Sequence, residues 1–146
     1  MLGTLAKWLR ILGYDTAYDN RITDDEIVKR CLAEARIALT RDARLAQRRV
    51  LRGSLLIEST ELGAQLRQVL DFVGYRVDPG RLLSRCVECN SPLVSVSPES
   101  VKALVPEYVF RTQPDFKQCA TCRRVYWGGT HREHIQHKLR KLLDGK

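Results

Sequence analysis

Leucines recur at positions 2, 5, 9 and 12 while Lys7 and Arg10 fall on the other side, so the pattern predicts an amphipathic helix over residues 2–13, ended by Gly13. Trp8 and Ile11 widen its apolar face, which needs a cover. Residues 14–18 read as a short strand leading into the polar turn Asp19-Asn20-Arg21. Thr23 and Glu26 have capping-box spacing and open a second helix, with Ile27, Val28, Cys31, Leu32 and Ala35 inward. The apolar runs at 36–40 and 54–58 suit strands buried on both faces of a parallel sheet. Between them, residues 43–51 predict a helix exposing Arg44, Arg48, Arg49 and Arg52. Thr60 is placed to cap another that runs through Val73 and ends at Gly74.

Short apolar strands alternating with amphipathic helices define an α/β unit with a mainly parallel sheet flanked by helices. Asp78-Pro79-Gly80 is the clearest linker, and it divides the chain into units 1–78 and 79–146. In the second unit, 93–96 alternates like a strand and 98–104 suits a short helix that Pro106 ends. Residues 123–127 read as a strand before the turn Gly128-Gly129, and 131–143 as a basic amphipathic helix. That helix carries Ile135, Leu139 and Leu142 on one side, with His134, Lys138 and Lys141 on an adjoining face.

Composition narrows the class without changing the pattern. Hydrophobic residues make up 44% and charged residues 29%, the balance of a globular protein. Neither an apolar run of membrane-spanning length nor a signal-peptide core is visible, so the expected location is the cytoplasm. Of the net charge of +8, residues 1–80 supply +2 and residues 81–146 supply +6. That asymmetry points to a polyanionic partner, with nucleic acid first. A solvated basic surface without a partner is the plainer alternative.

Two C-x2-C pairs, Cys86/Cys89 and Cys119/Cys122, offer four thiolates, the donor set of a closed structural zinc site. The 29 residues between Cys89 and Cys119 require an insertion between the knuckles. Two disulfides or four unrelated thiols are the alternatives. Cys31, the fifth cysteine, falls on an apolar helix face and reads as a small core residue.

The first unit has no Gly-rich phosphate loop, nucleophile elbow or Cys/His pair, which leaves carboxylates as its candidate chemistry. Asp42 follows one expected strand, and Asp24 and Asp25 open a helix that follows another, so both could meet at the sheet's C-terminal edge. Such groups would hold Mg2+ or Mn2+. Equally, all three could serve only as helix caps. His131, His134 and His137 drift around their helix and read as solvated residues rather than metal ligands.

The segment 1–16, the element Thr23-Asp24-Asp25-Glu26, the stretch 36–42, both cysteine pairs and Tyr126-Trp127-Gly128-Gly129-Thr130-His131 together resemble the Mut7-C family. The resemblance covers nearly the whole chain and implies a PIN-like ribonuclease domain followed by a zinc ribbon. Carried onto this sequence, it makes Asp24, Asp25 and Asp42 the metal-binding acids for RNA cleavage. Lys7, Arg10 and Arg41 are candidates for contact with the RNA backbone. Family members also have an apolar first strand ending in Asp shortly before the segment that here reads Met1-Leu2-Gly3. The expectation is that this strand is encoded upstream of Met1, and the alternative is a degenerate member with impaired catalysis. A competing function is noncatalytic RNA binding through Arg123, Arg124, Lys138, Arg140 and Lys141, with Tyr126 and Trp127 either stacking on bases or packing under the ribbon.

Overall fold

The computed structural model describes residues 2–51, 53–74, 78–128 and 130–144, apart from the side chains of Pro79, Thr130 and His131. Arg52 on the expected arginine face, Gly129 in the expected turn and the His131 side chain therefore lie outside the described residues.

Helix α1 (Gly3–Ile11) ends in a Schellman motif, in which Gly13 N–H donates to Arg10 O and Tyr14 N–H to Leu9 O. Gly13 holds φ +96°, and a Cβ there would lie 2.7 Å from the Arg81 carbonyl oxygen, so glycine is required twice over. The next residues, expected as a strand, join no ladder. Their polar groups are held instead by side chains from elsewhere, among them Asn90, whose Oδ1 accepts from Thr16 N–H at 2.8 Å. Helix α2 (Asp24–Glu34) carries the full capping box between Thr23 and Glu26. Its apolar face is shallower than expected. Ile27, Val28 and Cys31 are half-buried against Ala38, Leu45 and Leu51, whereas Leu32 is 62% exposed and Ala35 leaves the helix in the left-handed region.

Strands β1 (Leu39–Thr40) and β2 (Leu55–Leu56) pair in parallel, as the apolar runs implied, although each is only two residues long. The expected helix over 43–51 breaks into α3 (Ala43–Ala46) and a 3-10 turn, Arg49–Leu51. Arg44 and Arg48 would repel one another one turn apart, and the Ser54 hydroxyl takes the Ala46 carbonyl out of helical use. Helix α4 (Leu62–Val73) starts one residue later than its expected cap, with Glu61 rather than Thr60 at the N-cap. Gly74 ends it at φ +68°.

Beyond the linker, β3 (Leu93–Val96), β4 (Phe116–Cys119) and β5 (Val125–Trp127) form an antiparallel sheet in that order. The insertion between the knuckles holds β3, most of β4 and two short helices, α5 (Pro98–Val101) and α6 (Glu107–Thr112). Helix α7 (Thr130–Asp144) closes the chain.

The main core joins Leu5, Leu9 and Leu12 of the first helical segment to Ile57, to Leu66, Val69 and Leu70 of α4, and to Leu82 and Leu139 from beyond the linker. Residues on both sides of the 78/79 boundary thus share one core, and α4 supplies part of the cover that α1 requires. Helices α4 and α7 approach closely because Gly63 has no side chain. A Cβ there would collide with the Leu142 carbonyl oxygen, while Arg67 Nη1 donates to that oxygen at 2.7 Å and to Leu143 O at 3.1 Å. Gly63→Ala is therefore expected to lower stability by about 1–3 kcal/mol in urea unfolding, whereas Gly128→Ala, in open space, should leave the midpoint unchanged.

Candidate metal centre and adjoining groove

The two knuckles are built alike. Each begins with a buried cysteine, Cys86 or Cys119, whose sulfur accepts the amide of its partner, from Cys89 at 3.4 Å and from Cys122 at 3.5 Å. Each then turns through a left-handed residue, Asn90 at φ 67° and Arg123 at φ 66°. Asparagine tolerates that region, and at Arg123 the turn is held against its intrinsic preference by the fold around it. The four sulfurs lie within 4.8 Å of one another, with Cys86 and Cys122 at 3.6 Å. Four ligands about 2.3 Å from a tetrahedral zinc stand roughly 3.8 Å apart, so the cage fits such an ion and offers no open position. All four are free cysteines rather than disulfides.

The thiols are not equivalent. At Cys119, burial opposes ionisation, but amides from Cys122 and Thr121 and the neighbouring thiols outweigh it and bring the group to about 7. Cys89 is pushed up to about 12 by its hydrogen bond with Cys122, then by burial and by the charges of the other sulfurs.

The first knuckle is clamped to the α/β unit. Arg10 is 7% exposed; its Nη1 donates to Val87 O at 2.8 Å and Glu88 O at 3.2 Å, and its Nε to Thr16 O at 2.8 Å. Arg10 is thus buried rather than solvated as the helical pattern suggested, and its guanidinium is engaged by part-buried carbonyls. Asn90 Nδ2 donates to Asp15 Oδ1 at 2.7 Å, and Arg36 pairs with the same carboxylate at 3.0 Å. The Asn90 bond first and the Arg36 bonds second hold the Asp15 carboxyl below its usual range. Lys7 pairs with Glu88 across 3.5 Å at the surface.

Beside this clamp lies a groove of about 700 Å3. Leu5 and Leu9 of α1, Ile27 and Cys31 of α2, and Leu39 contribute to its apolar lining, with Asp15, Asp19 and Asp42 among its carboxylates. Ala38 O and Thr40 O accept from the β2 side, so the amide and carbonyl of Leu39 point away from β2, and no strand pairs with them among the described residues. Arg41 also lines the groove, and its Nε is buried with no hydrogen-bond partner.

Of the candidate acids, Asp42 is exposed on this groove and caps α3, its Oδ1 accepting from Arg44 N–H at 2.9 Å and Leu45 N–H at 3.4 Å. Asp24 and Asp25 are exposed in the first turn of α2, and Asp25 pairs with Arg48 at 3.2 Å. Asp24, Asp25 and Asp42 are not drawn into one cluster, and among the described residues the cysteines are the only group of three or more metal-binding side chains within mutual reach. Arg123, Arg124, Lys138 and Lys141 are all exposed, and none has an ion-pair partner among the described residues. His134 and His137 are exposed. Tyr126 and Trp127 are half-buried in the ribbon, and the Tyr126 hydroxyl is engaged at the first knuckle.

Sequence reasoning missed Asp15 and Asn90, and it named Tyr126 only for base stacking or packing under the ribbon, not for its hydroxyl at the first knuckle. Only Asn90 carried a signal, since an asparagine directly after a C-x2-C pair marks a left-handed turn.

The family described as the Mut7-C RNAse domain matches residues 1–139. No curated protein and no solved structure matches the chain.

Proposed function

Since the chain belongs to the Mut7-C RNAse domain family over residues 1–139 of its 146, we propose that it is a ribonuclease acting on RNA phosphodiester bonds. That family match carries the reading. In this proposal the first unit is PIN-like, and Asp42 is the principal catalytic carboxylate because it is exposed on the groove with Asp15 and Asp19 nearby in the lining. Asp24 and Asp25 open the helix that follows the groove segment. Mg2+ or Mn2+ is the ion that such oxygen donors select, and when bound it would offset charge on the scissile phosphate. The carboxylates described do not by themselves complete a three-ligand site. Mg2+ accepts such sparse protein ligation because it retains waters and takes substrate phosphate oxygens. The four cysteines would hold Zn2+ structurally, and free thiols suit a reducing compartment such as the cytoplasm. Among the described residues, no helix is long and apolar enough to cross a membrane.

Asp42→Asn is the informative substitution. Asparagine can accept the same two amide bonds and keep α3 capped, while losing the charge. Metal-stimulated RNA cleavage is expected to fall at least about 100-fold at an unchanged melting temperature. Full activity in the variant would remove Asp42 from the mechanism.

A second reading rests on the exposed cations Arg123, Arg124, Lys138 and Lys141, which suit a noncatalytic RNA-binding module. RNA affinity that drops steeply with salt, without metal-dependent cleavage by the wild-type chain, would favour it.

A further inference from the structure

We propose that the Tyr126 hydroxyl donates a hydrogen bond to the Cys86 sulfur and thereby sets how tightly the four-cysteine centre holds its ion. The inference rests on reading those cysteines as a metal centre.

The direction of the bond follows from valence. Tyr126 Oη lies 3.1 Å from Val87 N and 3.2 Å from Cys86 Sγ. A backbone N–H can only donate, so it occupies a lone pair of the tyrosine oxygen and leaves the phenolic proton free for sulfur. In a loaded centre Cys86 is a thiolate with no proton of its own, and the hydroxyl is then the donor by necessity.

Burial makes that proton matter. Four thiolates around a divalent ion carry two surplus negative charges, and exposed sulfurs can share theirs with water. Cys122 is exposed and Cys89 intermediate, but Cys86 and Cys119 are each 0% exposed. Cys119 receives the Cys122 amide, and Cys86 receives the Cys89 amide together with Tyr126. A buried anion deprived of a donor is costly, and groups that orient and stabilise metal ligands commonly change affinity tenfold or more.

The sheet supplies the reach. Tyr126 pairs with Lys117, two residues before Cys119 on the same strand, so Tyr126 and Cys119 share a face of the sheet. From there the phenol spans from the second knuckle's sheet to the first knuckle. Trp127, next along β5, belongs to the opposite face and pairs with Phe116.

The test uses the full chain loaded with cobalt(II), whose sulfur-to-metal charge-transfer band reports electron density on the thiolates. Tyr126→Phe is expected to move the band to longer wavelength and to speed metal loss to a chelator roughly tenfold. Trp127→Phe should change neither. Incorporation of 3-fluorotyrosine at position 126 keeps the shape, makes the hydroxyl a stronger donor, and should move the band the other way. Unchanged band and release rate in Tyr126→Phe would overturn the proposal, as would a fluorotyrosine shift in the same direction as the phenylalanine one. A wild-type chain that binds no cobalt with a four-thiolate spectrum would overturn the metal centre itself, and the proposal with it.

Discussion

Stripping the ion from the four-cysteine centre is expected to unfold the ribbon and lower the melting temperature of the whole chain by more than about 10 °C. Between Cys86 and Trp127 the buried side chains, apart from the two inner cysteines, are only Val101 and Phe116. Two apolar side chains contribute roughly 3–6 kcal/mol on burial, too little to offset the ordering of some forty residues. A structural zinc site contributes on the order of 10 kcal/mol or more, comparable to the full stability of a domain. Chelation should therefore erase amide protection across β3, β4 and β5 first. Helices α1, α4 and α7, joined by the leucine core, should retain more of theirs. Cys119→Ser should mimic chelation, because Cys119 is fully buried and its sulfur helps close the cage. The loss should steepen with acid, since metal binding needs thiolates and protons compete with the ion for the sulfurs. Equal protection of β3–β5 with and without chelator, measured by hydrogen exchange, would mean that the ribbon stands on packing alone.

The elements that could be read from the sequence are those whose signals are local. The capping box at Thr23, the leucine periods of α1 and α4 and the paired C-x2-C knuckles each depend on residues a few positions apart, and each is present. Among elements defined by distant partners, β1, β2, β3 and β5 showed as apolar or alternating runs, but those without such a run were not legible. Strand β4 reads 116–119 as an unremarkable mixed run, and it becomes a strand because β3 and β5 pair with it on both sides. Residues 14–18 look like a strand but meet side chains of the first knuckle instead of a ladder. The same distinction divides the candidate sites. The cysteine cluster is foreshadowed by spacing, because each knuckle is a local turn. Whether Asp24, Asp25 and Asp42 meet depends on where α2 sits against β1, and helical period says nothing about that.

Arg10 is where a local signal misled, and replacing it is the second large effect to expect. On the helical period it sits beside Lys7, three residues away, and both look solvated. The ribbon changes that, because its first knuckle lies over α1 and brings two carbonyls, Val87 O and Glu88 O, onto one guanidinium nitrogen, while Nε holds Thr16 O. Arg10→Met keeps the stem and removes all three bonds. The guanidinium is buried but its acceptors are only part-buried and can regain water, so a loss of roughly 2–3 kcal/mol is expected in urea unfolding of the metal-loaded chain. Arg10→Lys should recover less than half, because one ammonium cannot serve carbonyls on two sides as a planar fork does. Lys7→Ala removes only a half-exposed pair with Glu88 and should cost less than about 1 kcal/mol. An Arg10→Met chain within 1 kcal/mol of wild type, but weaker in RNA binding, would return Arg10 to the RNA surface where its helical position first placed it.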